Sequence, residues 1–139
     1  MHNIHATCVA LNNKGILLTG KSGAGKSDLA LRLIEQVGAE LVSDDITIIS
    51  NKNNELYARS PDSIKGLIEV RGIGIINKKY IKETSIKLIV ELVEDFKLIE
   101  RLPEKEYEEK EGIKVRKIMI YPFENSSVYK IKVVCDEIE

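Results

Sequence analysis

The sequence predicts a strand-rich α/β domain with one amphipathic helix packed on the sheet behind a glycine-rich loop. Three observations lead there. Residues Gly20 to Gly25 form a glycine-rich turn. Directly after it, Leu29, Leu33 and Val37 recur at helical spacing, with Ala30 and Ile34 beside them. Beyond Gly38 the apolar stretches are short and strand-like. The chain has 139 residues, a length that suits one domain over residues 1–139 with a single core.

Each element can be justified in order. Ile4 to Leu11 reads as a strand, stopped by the turn chemistry of Asn12-Asn13-Lys14-Gly15, and Ile16 to Thr19 returns as its hairpin partner. The helix runs from Lys26 to Val37, and Gly38 ends it. Strands are expected at Glu40–Val42, Ile46–Ser50, Leu56–Arg59 and Leu67–Val70. Ser85–Val93 carries apolar residues on both sides of an alternating pattern, which predicts a strand buried on both faces. The charge run Glu104–Glu111 predicts a solvated loop or hairpin tip. Two further strands are expected at Ile113–Tyr121 and Val128–Cys135. No repeat or low-complexity linker interrupts the chain.

Charge and cysteine usage narrow the function. The formal net charge is −1, whereas nucleic acid or an anionic membrane as main partner would favour a basic excess. No run of about 20 apolar residues predicts a membrane span, and Met1 to His5 lacks the pattern of a secretory signal. Cys8 and Cys135 stand alone in apolar stretches without metal-ligand spacing. They read as reduced, buried thiols of a cytoplasmic protein.

The loop carries the chemistry. Gly20-Lys21-Ser22-Gly23-Ala24-Gly25-Lys26-Ser27 matches G-x-x-x-x-G-K-[ST] at every fixed position. Glycines let the backbone curl so that successive N–H groups face phosphate oxygens, and the following helix adds its positive end. Lys26 brings a point charge to the β- and γ-phosphates, and the Ser27 hydroxyl can ligate Mg²⁺. A nucleotide such as ATP is the expected ligand.

Phosphoryl transfer also needs a carboxylate near the metal and a group that handles the nucleophile's proton. Asp44-Asp45 follows the apolar segment Ala39–Ser43. A strand after the loop's helix is expected beside the loop's own strand, with its carboxyl end facing the phosphates. One aspartate could then reach the metal and the other accept the proton. Asp is also common at a strand exit. Glu69 lies in the apolar run Leu67 to Asn77 and so needs a partner, either Mg²⁺ or Arg71. His5 and Arg101 have no catalytic signal of their own from the residues around them.

Taken together, GKSGAGKSD, GAELVSDD and LIEVRGIGIIN resemble, in order and spacing, the catalytic domain of the HPr(Ser) kinase/phosphorylase family. The segments SIKLIVELVE, IERL and RKIMIYPFENSSVYKI are similar to later parts of it, so the likeness covers roughly residues 4 to 135. The resemblance implies an HPr kinase/PEP carboxykinase-like P-loop fold. It assigns a catalytic-site histidine to His5, phosphate binding to Gly20–Ser27 with Lys26 essential, and Mg²⁺ to Ser27 and Glu69 with Asp44 nearby. It assigns the acid/base role to Asp45 and a part in transfer to Arg101. The implied reaction is ATP-dependent phosphorylation of a serine on HPr, the phosphocarrier of the phosphotransferase system. The resemblance also implies removal of that phosphate by attack of inorganic phosphate, giving pyrophosphate. The family's hexameric assembly is a further expectation.

Departures from the family pattern are also visible. Asp28 replaces the more usual Glu, Lys21 stands where many members are acidic, and the family's N-terminal domain and C-terminal partner-gripping helices are expected to be missing. Two rivals therefore remain. One is a small-molecule P-loop kinase, which would need alternating helices and a lid. The other is a nucleotide-sensing module with little catalysis.

Overall fold

The computed structural model describes residues 1–139. Three tight hairpins organise it, and each turns on two residues with positive φ: Asn12 and Asn13 (51° and 65°), Asn53 and Asn54 (55° and 62°), Glu111 and Gly112 (51° and 77°). Two consecutive left-handed residues match the right-handed twist of the flanking strands, and asparagine and glycine adopt that conformation at least cost. These turns join β2 (Thr7–Leu11) to β3 (Lys14–Thr19), β5 (Ile46–Lys52) to β6 (Glu55–Arg59), and β10 (Glu106–Lys110) to β11 (Ile113–Ile120). The remaining strands are β1 (His2–His5), β4 (Glu40–Ser43), β7 (Leu67–Val70), β8 (Gly74–Asn77) and β9 (Thr84–Leu92). Two helices complete the chain, α1 (Lys26–Val37) and α2 (Ser127–Glu137).

Nine strands form one mixed sheet with the path β1-β5-β6-β9-β3-β2-β4, while β11 pairs with β9 and carries β10 outside it. At its centre β3 runs parallel to β9, and β9 parallel to β11. Alternation then sorts side chains to two faces. Val9, Leu11, Ile16, Leu18, Leu88 and Val90 meet Leu29, Ala30 and Leu33 of α1 and Val128 and Ile131 of α2 in one cluster. Cys8, Ala10, Leu17 and Ile89 face the other way, against Ile49, Leu56 and Ala58 of the curled hairpin β5–β6. The expected strand-rich α/β architecture is what the chain adopts, with β9 buried on both faces.

Four expectations need correction. The strand expected at Ile4–Leu11 breaks at Ala6, whose N–H donates to the Asp45 carbonyl (3.0 Å). The first half pairs with β5 and the second with β3 and β4. The strand expected at Val128–Cys135 is helix α2; Val128, Ile131 and Cys135 bury at steps of three and four, a helical stripe that the β-branched composition disguises. Strand β4 does not lie beside β3, because β2 is inserted antiparallel between them. Two antiparallel steps restore direction, so the carboxyl end of β4 still points the same way as that of β3. The run Glu104–Glu111 is mostly strand β10, held by Lys117 between Glu91 (2.8 Å) and Glu108 (3.2 Å).

Candidate active site

The loop leaves β3 at Thr19 and enters α1 at Lys26. Gly20, Gly23 and Gly25 have φ of 148°, 82° and 100°, a region that side chains rarely adopt. At Gly20 space is also short, since a Cβ there would stand 3.2 Å from the Leu92 carbonyl oxygen. Lys26 is almost fully buried, and its ammonium donates to the carbonyls of Gly20 and Lys21, both at 3.0 Å. An ammonium has three donors, so one remains, and the side chain makes no ion pair. An unneutralised buried cation is costly, and its place under a curl of backbone amides favours an anionic ligand. Lys21, Ser22 and Gly23 are exposed along the loop, whereas Ala24 is buried and packs into the core.

The acidic pair reaches this loop from β4. Asp44 is buried, and its carboxylate accepts three hydrogen bonds. Ser27 Oγ (2.6 Å) and Thr7 Oγ1 (3.1 Å) donate to Oδ1, and the Glu69 amide donates to Oδ2 at 3.0 Å. Asp45 points outward, with its backbone held left-handed at φ 67°. Its N–H donates to the Thr7 hydroxyl (3.0 Å), its carbonyl accepts from Ala6 (3.0 Å), and the Ile46 N–H closes on the Asp44 carbonyl (2.8 Å). This turn aims one carboxylate into the fold and its neighbour out. His5, at the end of β1, brings Nδ1 to 3.9 Å from Asp45 Oδ1, with both side chains exposed.

The structure thus brings together His5, Ser27, Asp44, Asp45 and the backbone of Glu69. The Glu69 side chain is exposed rather than buried, and it forms no ion pair with Arg71. Strand β7 alternates, so Ile68 enters the core and Glu69 faces solvent; the expectation of a buried carboxylate treated the apolar run as buried throughout. Arg101 is exposed in the segment between β9 and β10 and makes no ion pair or hydrogen bond. Thr7 was not singled out by the sequence. A lone threonine in Thr-Cys-Val-Ala-Leu is the only signal, and it is wholly buried.

A glycine-rich loop ahead of a helix, with an aspartate on its serine and the sheet continuing on both sides, defines a P-loop α/β protein with a mixed, curled sheet. The chain belongs to the HPr Serine kinase C-terminal domain family, whose model matches residues 1–134. It is 39% identical over 123 residues to the HPr kinase/phosphorylase of Malacoplasma penetrans, an alignment covering 81% of this chain and 40% of that protein. With the HPr kinase/phosphorylase of Clostridium beijerinckii it shares 37% over 127 residues, or 84% of this chain and 42% of that one. The chain therefore spans about two fifths of the length of these relatives. The solved structure of the Hpr(Ser) kinase/phosphatase from Coxiella burnetii superposes with a TM-score of 0.86 at 29% identity, covering 99% of this chain and 96% of that one. No helix is long and apolar enough to cross a membrane.

Proposed function

We propose that this chain is a single catalytic domain that transfers the γ-phosphoryl group of ATP to a serine hydroxyl of an HPr-like phosphocarrier protein in the cytoplasm. The observation that carries the reading is the 2.6 Å hydrogen bond from Ser27 to Asp44, which joins the phosphate cradle to the acidic turn. The names of the relatives supply the substrate class. A small-molecule kinase with alternating helices and a lid fits poorly, because the chain has two α-helices and an extended sheet.

The donors suit Mg²⁺. Ser27 Oγ and the Asp44 carboxylate are adjacent hard oxygens, and the exposed Glu69 carboxylate extends from the strand whose amide holds Asp44. No group of three or more His, Cys, Asp or Glu side chains forms a full protein cage. Mg²⁺ characteristically takes one or two carboxylates and fills its sphere with substrate phosphates and water. When bound, it would neutralise charge on the phosphates. The amides of Gly20–Ser27 and the Lys26 ammonium hold the phosphate oxygens. Asp45, outward and beside His5, takes the proton as the serine oxygen bonds to the γ-phosphorus and the bond to the ADP oxygen breaks. In the separate dephosphorylating reaction, an oxygen of inorganic phosphate attacks the phosphorus of phosphoserine, the serine O–P bond breaks, Asp45 gives its proton to the leaving serine oxygen, and pyrophosphate leaves. Arg101 belongs to the proposal as a charge brought to the transferring group by its exposed segment. Assembly as a hexamer, suggested by family likeness, belongs to it too, and sedimentation velocity reads it.

The test is direct. Incubation with ATP, Mg²⁺ and the cognate HPr-like protein should give phosphoserine, with Lys26→Ala impaired in nucleotide binding and transfer alike. Asp45→Asn should bind nucleotide normally and lose transfer. Tight ATP binding without any product across a range of phosphate concentrations would instead establish a nucleotide-sensing module.

A further inference from the structure

The chain contains two phenylalanines, and the fold buries neither of them. Phe96 and Phe123 are each 60% exposed. Both rings pack edge-on against Tyr121, with centroids 6.1 and 5.5 Å away at 72° and 81°. One exposed apolar residue needs no explanation. An array that gathers every phenylalanine of the chain at one place is different, and its position matters more. A Cβ on Gly25 would stand 3.3 Å from Phe123 Cε1, so this ring touches the rim of the phosphate cradle at the residue that opens α1.

The loop that carries the ring is fixed. The Arg32 guanidinium of α1 donates to the Pro122 carbonyl at 2.6 Å and is itself held by Asp28 at 3.0 Å. The Ser127 hydroxyl donates to the Tyr121 carbonyl at 2.7 Å and accepts the Glu124 amide at 3.3 Å. Lys130 ties down the Glu124 carboxylate at 3.0 Å. Residues on both sides of Phe123 are thus clamped to α1 and α2, while the ring is left in solvent. Such clamping is wasted on a surface residue with no partner, and it suits a platform that must be in place before its ligand arrives.

We propose that Phe123, supported edge-on by Tyr121, is the stacking platform for the base of the bound nucleotide. This inference rests on the proposed nucleotide-binding reading of the loop. Phosphates held over Gly20–Ser27 leave the sugar and base to emerge at the rim, where the Cε1–Cζ edge of Phe123 lies against Gly25 and leaves the ring free to stack on a base. Every base offers a π-face, so a stacking platform is tolerant of base identity. The chain would then bind ADP and GDP with similar affinity.

Calorimetric titration with ADP and, separately, with inorganic tripolyphosphate tests this, both with Mg²⁺. Phe123→Ala should weaken ADP by about fivefold to a hundredfold, the range for loss of one base–aromatic stack, and leave tripolyphosphate within about twofold. Phe123→Trp should retain ADP affinity. Because the ring is exposed, the melting temperature should not move, which separates lost binding from lost folding. Equal ADP affinity in Phe123→Ala and wild type overturns the platform while tripolyphosphate binding leaves the cradle standing. If that variant binds ADP normally but needs more phosphocarrier protein for half-maximal transfer, the ring serves protein docking and the inference is wrong. Failure of wild type to bind either ligand removes the phosphate reading itself, and the platform with it.

Discussion

The Thr7 hydroxyl donates to Oδ1 of Asp44 across 3.1 Å, in a place almost closed to solvent, and Thr7 Oγ1 in turn accepts the amide of Asp45 at 3.0 Å. One side chain on β2 therefore holds both members of the acidic turn. It orients the Asp44 carboxylate toward Ser27 and pins Asp45 in a left-handed conformation that non-glycine residues adopt at some cost. Thr7→Val keeps the shape and removes the hydroxyl. A buried carboxylate then loses a donor and a buried amide loses its acceptor, each costing roughly 1–3 kcal/mol. The expected result is a urea midpoint lowered by an amount equivalent to about 2–6 kcal/mol. Phosphotransfer should fall more than ADP affinity, because the carboxylate geometry is disturbed and the cradle is not. Unchanged stability would show that Thr7 only fills space.

The lysine of β11 that joins β9 to β10 gives the stability a pH window. Burial pushes the Glu108 carboxyl up, but Lys110 and Lys117 outweigh this and hold it below the ordinary glutamate range. The Lys117 ammonium is raised by its hydrogen bond to Glu91 in spite of partial burial. A depressed carboxylate stabilises the fold above its unfolded value, about 4.3, and that contribution is lost as pH falls through the lower folded value. A raised ammonium stabilises below about 10.4 and loses its effect as pH climbs through the higher folded value. Lys117→Met should therefore lower the melting temperature most between about pH 5 and pH 10 and least near pH 3. Partial exposure limits the effect to about 1 kcal/mol or less. A difference from wild type that is the same at pH 3 and pH 7 would show that packing, not charge, is what Lys117 supplies.

What the sequence made legible was the part of the site whose geometry is local. The cradle is set by eight consecutive residues and the outward and inward aspartates by one turn, so motif spacing pointed to the first and the strand exit after Ser43 to the second, even though β4 does not lie beside β3 as expected. The site's other members depend on distant segments meeting. His5 reaches Asp45 because the chain breaks at Ala6 and crosses from one part of the sheet to another, and no periodicity records that. Glu69 contributes its amide to Asp44, a role that any residue but proline can fill, so its side-chain type carried no signal for it. Helix α2 was misread for a different reason. Val128, Ile131, Val133 and Val134 have the composition of a strand, and the decisive cue was the step of three and four from Val128 to Ile131 to Cys135. The helix wins because that stripe seals the cluster formed by Leu29 and Leu33 of α1.

Gly15 offers a sharp test of how the loop's strand is mounted. It sits where β3 meets β9 and where the register slips by one between Gly15 and Ile16. A Cβ there would stand 2.7 Å from the Ser85 carbonyl oxygen and 2.8 Å from Thr84 Cγ2. Strand β9 contacts β3 on one side and β6 and β11 on the other, so it cannot retreat without disturbing the pairings that support both cores. Gly15→Ala should therefore destabilise by about 1–3 kcal/mol, as forced overpacking does, and lower the melting temperature by roughly 5–10 °C for a chain of this size. The loss should be global rather than confined to the site, since β3 and β9 form the centre of the sheet. Hydrogen exchange reads this directly: amides of β3, β9 and β11 should lose protection together in the variant. Faster exchange confined to the Asn12–Asn13 turn, with the melting temperature unchanged, would mean that the sheet accommodates the methyl group locally and that the close approach at Gly15 is not what holds the parallel pair in register.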